Sequence, residues 1–461
     1  MRNQPARYKQ RVCSTFVCCS LFLLPLTLGP IAARGQNTAD ASAAGQPVVL
    51  TLEEAIHRAQ ASDTAYAAAL AESKASALDR TTARTDLLPT VVYHNQGLYT
   101  QPNGIQNQAG QTGSQPAPKF ISNNAIREYA SQAIVNQTLS LGQVAAIRHA
   151  DAAAAQAAAE LEVSRRGLVV AVTGLFYGAL AADRKHAVAE RAQQEAVDFS
   201  ALTTRRENAR EAAHADVVKA QLEEQQRQRD LEDARVAAER AHLELGVLVF
   251  PDPRTPSTLR AAEAAPPLTT HEEAEQAAAK NNPELKSALA ALGMSDADVL
   301  AARAAYLPDI GLNVTYGIDA PQFAVNGPEN VRNLGYSASL TVDIPVWDWL
   351  ATHRKVRQSE IRRDATQVAL SATQRRIIAR LDEAYSEAAT ARDQLASLDL
   401  SVATAAESLR LTRLRYTGGE ATVLEVVDAQ TAFIAAENAR EDGRVRYESA
   451  RAELETITGT L

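Results

Sequence analysis

The stretch from Thr51 to Pro89 recurs without a gap from Thr270 to Pro308. The two copies agree at their ends, as Thr-x-Glu-Glu-Ala and Leu-Pro, and inside, at Ala-Leu-Ala, at Asp79 and Asp298, and at Ala-Arg. Each copy continues into a pair of alternating segments and then a very long helical stretch, which makes the repeat unit far too large for a solenoid module. A tandem duplication of this kind predicts pseudo-symmetry in the fold. The expected repeats are 36–267, closing in a Pro-rich linker over 250–267, and 268–461.

Residues 1–35 are different material. Arg2, Arg7, Lys9 and Arg11 precede an apolar run from Val12 to Leu28, followed by small residues at Ala32, Ala33 and Gly35, the pattern of a secretory signal peptide. All three cysteines, Cys13, Cys18 and Cys19, lie inside that run, so none is placed to begin a lipoprotein. Cleavage near Gly35 removes five basic and no acidic residues from a chain of net charge −8 and leaves it free of cysteine. Such a chain suits an oxidising periplasm without disulfides. Its acidic balance argues against a nucleic-acid partner. Beyond the signal peptide no apolar stretch of about 18 residues is expected to form a transmembrane helix, so entry into a membrane falls to strands.

Four segments can serve. Ile310 to Ile318 puts Ile310, Leu312, Val314, Tyr316 and Ile318 on one face, with glycine, asparagine and threonine on the other. Tyr336, Ala338, Leu340, Val342 and Ile344 alternate in the same way. The counterparts in the first copy are Val91 to Thr100 and about Glu128 to Leu139. Each is about 10 residues, the length of a tilted transmembrane strand. The connections Gln101–Ala125 and Ala320–Asn333 are rich in Asn, Gln, Gly, Pro and Ser, as exposed loops are. A soluble sheet with one wet face satisfies the same alternation. Four strands cannot close a barrel, so a membrane-spanning version needs strands from identical neighbours.

The helices support this arrangement. Leu141 to about Glu207 and Asp348 to Leu414 are each roughly 100 Å long at 1.5 Å per residue. Against each can lie two shorter pieces stacked end to end, Ala212–Val249 with Thr51–Asp86, and Ala421 to about Thr458 with His271–Tyr306, the last interrupted at Pro283. Along the second long helix, Ala388, Ala391, Leu395, Leu398, Val402, Ala405, Leu409, Thr412 and Tyr416 follow a 3,4 spacing with small residues, a coiled-coil seam. The expected fold class is therefore mainly α with β, built of long antiparallel helical hairpins plus four strands per chain.

These residues resemble the outer membrane efflux protein family, the TolC-like channels. The most specific element is Tyr416-Thr417-Gly418-Gly419, leading into Glu425-Val426-Val427-Asp428-Ala429-Gln430, which is similar to that family's signature at a helix-turn-helix tip. Pro345, Val346, Trp347 and Asp348 resemble its strand-to-helix entry. The resemblance implies a homotrimer, a shared 12-stranded barrel in outer-membrane lipid, and a periplasmic helical tunnel meeting a periplasmic adaptor and an inner-membrane pump. It assigns Glu425 and Asp428 to an acidic ring at the periplasmic entrance, where mutual repulsion would raise carboxylate pKa values. It also implies a lock between Tyr416 and Asp216 of the neighbouring tip. Two departures stand out: Arg210 replaces a usual glycine, and Ala421 replaces an arginine that reinforces the lock, so that either Arg206 or Arg210 supplies the missing cation or the closed state is weaker here.

Nothing in the chain favours catalysis or a cofactor. Its eight histidines are scattered with no His-x-x-x-His pair, and no phosphate loop or nucleophile elbow appears. The competing reading is a periplasmic coiled-coil adaptor or scaffold, which would need no membrane strands.

Overall fold

The computed structural model describes residues 48–99, 127–260, 268–327 and 332–460. The expected signal peptide, the loop Gln101–Ala125 and the end of the linker fall outside them. In the first half β1 (Val48–Thr51), α1 (Leu52–Ser62), α2 (Thr64–Thr85), β2 (Thr90–Tyr99), β3 (Arg127–Leu139), α3 (Leu141–Asn208) and α4 (His214–Val249) follow one another. Then β4 (Ser257–Arg260), α5 (His271–Asn281), α6 (Pro283–Ala304), β5 (Asp309–Ala320), β6 (Leu334–Asp343), α7 (Ala351–Thr417) and α8 (Val423–Thr458) repeat that order.

The large sheet is antiparallel throughout, in the order β2-β3-β5-β6. Its register aligns Val91 with Val135, Val135 with Val314, and Val314 with Ala338, and on the same face Tyr93, Ala133, Tyr316 and Tyr336 form a second row. Because side chains alternate along each strand, this register collects the apolar residues on one side and Asn313, Thr315, Ser337, Ser339 and Thr341 on the other. The apolar side is open, with Tyr336 84% and Leu340 70% exposed. Among the described residues, both edge strands, β2 and β6, lack a partner on their outer side.

The helices differ from expectation at one joint. Thr51–Asp86 was expected as a single piece, but the chain breaks at Asp63, whose carboxylate accepts from the Tyr66 amide at 2.6 Å and starts a new helix. The second copy breaks at Asn282 in the same way, accepting from Leu285 at 2.9 Å just before Pro283 at the first helical position. Each break also satisfies the end of a long helix: Ser62 Oγ donates to the Leu248 carbonyl at 2.6 Å, and Asn282 Nδ2 to the Ile457 carbonyl at 3.0 Å. Those carbonyls have no intrahelical partner, so the joints double as C-caps.

A second correction concerns apolarity. α3 is long and apolar enough by composition to cross a membrane. Less than half of that apolar window is buried, 44%, with Leu168, Val172, Phe176 and Ala179 packed against Leu50, Ala55, Ala59, Leu245, Val249 and Leu259. Leu50 and Leu259 belong to a small parallel sheet, β1 with β4, that the alternation analysis did not anticipate. Four-residue strands are too short to show a period.

Around this core, α2 packs on α3, while α6 lies between α3 and α7, giving a wall in the order α2-α3-α6-α7. The 3,4 seam of α7 faces α8, with Ala388, Ala391, Leu409 and Tyr416 buried. In α3, Glu162 accepts from Arg165 at 2.8 Å and Arg166 at 2.6 Å, and these guanidinium groups hold its carboxyl down at about 2. The stabilisation this gives is complete above the ordinary carboxylate value of 4.5 and is lost as pH falls from 4.5 towards 2. Thermal melts of Glu162→Gln and the parent chain should therefore differ at pH 7 and converge near pH 2; equal melting at pH 7 would refute the linkage.

Candidate functional site

The tips of the two hairpins, α3–α4 and α7–α8, meet within one chain. Phe199, Ala220, Tyr416, Val423 and Val426 form a common apolar cluster there. Both turns have the same geometry. In the first, the Glu211 amide donates to the Arg206 carbonyl and the Arg210 amide to Glu207; in the second, Glu420 donates to Arg415 and Gly419 to Tyr416. This six-to-one and five-to-two pattern requires a left-handed residue. Gly419 supplies it at φ 80, whereas Arg210 is forced to φ 64. Gly418, by contrast, has a right-handed helical φ of −76 and closes α7. A non-glycine residue in the left-handed region, such as Arg210, costs about 1 kcal/mol. Arg210→Gly should therefore raise stability by up to about 1 kcal/mol in denaturant melts, and a lower midpoint would show that the Arg210 side chain holds the turn.

Tyr416 is nearly buried, and its hydroxyl lies 3.2 Å from Thr203 Oγ1. Its ring packs against Phe199 at 5.1 Å. Within the chain, therefore, the tyrosine is not bonded to Asp216, which sits half-buried in the first turn of α4. Of the two arginines, Arg206 contacts Tyr416: its guanidinium lies over the Tyr416 ring at 4.9 Å and donates to the Tyr416 carbonyl at 2.6 Å. Arg210 is exposed in its turn. Thr203 and Phe199 were missed because their role depends on which face of α3 meets the other hairpin.

Glu425 and Asp428 follow the second turn on α8. Glu425 is committed to a capping box, accepting from the Thr422 amide at 3.1 Å while Thr422 Oγ1 accepts from the Glu425 amide at 3.3 Å. Arg415 stands 3.3 Å away. Within the single chain the Thr422 bonds, backbone first, with Arg415 behind them, hold the Glu425 carboxyl below the usual carboxylate range; the expected repulsion would act between copies. Asp428 is exposed. At the far end of α7, Asp348 Oδ2 accepts from the Thr352 amide at 2.7 Å and so caps a helix whose preceding residues, Trp349 and Leu350, are left-handed. Pro345 precedes this turn, and Trp347 packs edge-on against Trp349 at 5.8 Å, both rings largely exposed beside the strand ends. Exposed tryptophans at this level suit a membrane–water boundary.

A family model for outer membrane efflux proteins matches residues 275–460. Outer membrane protein OprJ of Pseudomonas aeruginosa is 25% identical over 175 residues, a match spanning 38% of this chain and only 36% of that protein. Alkaline protease secretion protein AprF of the same organism is 23% identical over 427 residues, 89% of this chain and 85% of AprF. The crystal structure of the Campylobacter jejuni CmeC outer membrane channel superposes with a TM-score of 0.72 at 14% identity, covering 88% of this chain and 85% of CmeC.

Proposed function

We propose that this chain, whose residues 275–460 match the model for outer membrane efflux proteins and which shares its fold with outer membrane channels, lies in the outer membrane as the exit duct of a tripartite efflux or type I secretion system. Three copies complete a 12-stranded barrel, and the helices continue it as a periplasmic tunnel that receives substrate from an adaptor and an inner-membrane pump. The duct conducts passively. The observation that carries this reading is the open sheet, apolar and exposed on one face, with two unpaired edges. In lipid such edges are untenable, so β6 of one copy must pair with β2 of the next. A periplasmic adaptor or scaffold would have no use for that face. The repeats 36–267 and 268–461 then supply equivalent halves of each subunit's wall.

Reconstitution into planar bilayers tests the proposal, with discrete single-channel steps expected and a water-soluble, non-conducting monomer as the overturning result. The entrance acids act unequally in this reading. Asp428→Asn should lower the cation-to-anion permeability ratio several-fold, since rings of carboxylates concentrate cations. Glu425→Gln should lower it less, because that carboxylate already answers Thr422 and Arg415. Reversal potentials in a salt gradient measure both, and an unchanged ratio in Asp428→Asn would remove the ring.

A further inference from the structure

The wall contains its own template for the contact it lacks. Arg84 meets Asp151 at 2.8 Å between α2 and α3, and the repeat-related Arg303 meets Glu360 at 2.8 Å between α6 and α7. The duplication therefore extends to individual ion pairs. Between these two contacts α3 also packs on α6: a Cβ on Gly293 would stand 3.5 Å from Ala152, His149 lies 3.6 Å from Asp298, and Ala159 and Ala297 are buried. In repeat terms this is α7 against α2, which one chain cannot make because those helices are the two edges of its wall.

The same shifts that relate the ion pairs carry Ala152, Ala159 and Ala297 onto Ile361, Val368 and Leu78, which are 56%, 67% and 69% exposed. His149 maps onto Gln358 and Asp298 onto Asp79. One turn to either side of Gln358 stand Arg354 and Arg362, on the same helix face. Among the described residues, neither arginine nor Asp79 makes an ion pair.

We propose that a second copy of this chain docks its α2, through Leu78 and Asp79, onto the α7 stripe of Arg354, Ile361, Arg362 and Val368. The inference rests on the ring-forming reading above and specifies its subunit seam. Within a chain the corresponding seam is lined with alanine and can close tightly. Between chains it is bulkier and ionic, which sets helices further apart and makes register and partner choice depend on charge. An exposed ionic seam is also weakened by salt.

A charge swap tests it. Asp79→Lys should weaken assembly about ten-fold or more at low salt, and adding Arg354→Glu with Arg362→Glu should restore it to within about three-fold, read by sedimentation of the full chain in detergent. Native-like assembly of Asp79→Lys, or a swap that fails to restore it in variants with unaltered helical melts, would overturn the seam. Lys74→Cys with Ile361→Cys, the counterparts of Gly293 and Ala152, should link chains covalently on oxidation, as the chain beyond residue 35 has no other cysteine. A conducting oligomer that fails to cross-link would overturn this inference alone, whereas a non-conducting monomer would overturn the exit duct as well.

Discussion

Valine at position 317 will separate β3 from β5 and abolish the assembled sheet. A Cβ on Gly317 would stand 2.2 Å from the Ser131 carbonyl oxygen and 2.6 Å from Gln132 Cα. Both are main-chain atoms of the paired strand, so no rotamer change relieves the overlap. Overpacking that flexible side chains can absorb costs about 1–3 kcal/mol, and this contact exceeds that range. The loss falls on the strand pair that joins the two repeats, and every copy in a ring would carry it. Gly317→Val should yield no heat-sensitive oligomer in outer-membrane extracts and no conductance. Gly335→Ala is the matched control, since nothing stands within 4 Å of its Cβ position. Normal assembly of Gly317→Val would mean that the two halves are not held at the distance described.

Arg206→Ala should open the entrance. This arginine joins the two hairpin tips twice, through its face on the Tyr416 ring and through its bond to the Tyr416 carbonyl. A charged donor to a carbonyl contributes about 1.5–3 kcal/mol and the cation–ring contact about 0.5–2 kcal/mol. Removing both should raise single-channel conductance several-fold and speed hydrogen exchange in the Tyr416–Glu425 turn. Tyr416→Phe keeps the ring and the carbonyl and loses only the Thr203 bond, about 1 kcal/mol, so its conductance should change little. Equal conductance of Arg206→Ala and the parent would confine Arg206 to a structural role.

Much of this architecture is legible in the order of residues. The alternation in Ile310–Ile318 and Tyr336–Ile344 reports a strand because side chains point to opposite faces at every step, and the structure pairs Ile310–Ile318 with Leu334–Val342 in register, β6 ending at Asp343. The seam from Ala388 to Tyr416 reports helix packing for the same kind of reason, with a period near 3.5. The joints were harder to see. Asp63 and Asn282 are both caps, but only the second is announced by a following proline. β1 and β4 left no signal at all, being four residues each.

The tip shows where a linear reading stops. Its turn chemistry is visible at Gly418 and Gly419, and Arg206 and Arg210 are the two cations that the sequence offers there. Which of the two meets Tyr416 depends on the face of α3 turned towards it, while Arg210, left-handed, is exposed in its turn. Within one chain the Glu425 carboxyl is held down because Thr422, three residues earlier, makes it a cap, whereas the expected repulsion would act between copies.

By itself, the amino-acid sequence determined the duplication, the strand faces, the long helices and the two turns, because each is set by neighbours within a few residues or by a repeat of fixed length. Tertiary structure alone decided that Arg206 rather than Arg210 contacts Tyr416, that Leu168, Val172, Phe176 and Ala179 of α3 are buried in a core, and that α2 and α7 are the edges of the wall. Those outcomes depend on which faces meet across hundreds of residues, and local periodicity carries no information about distances of that kind.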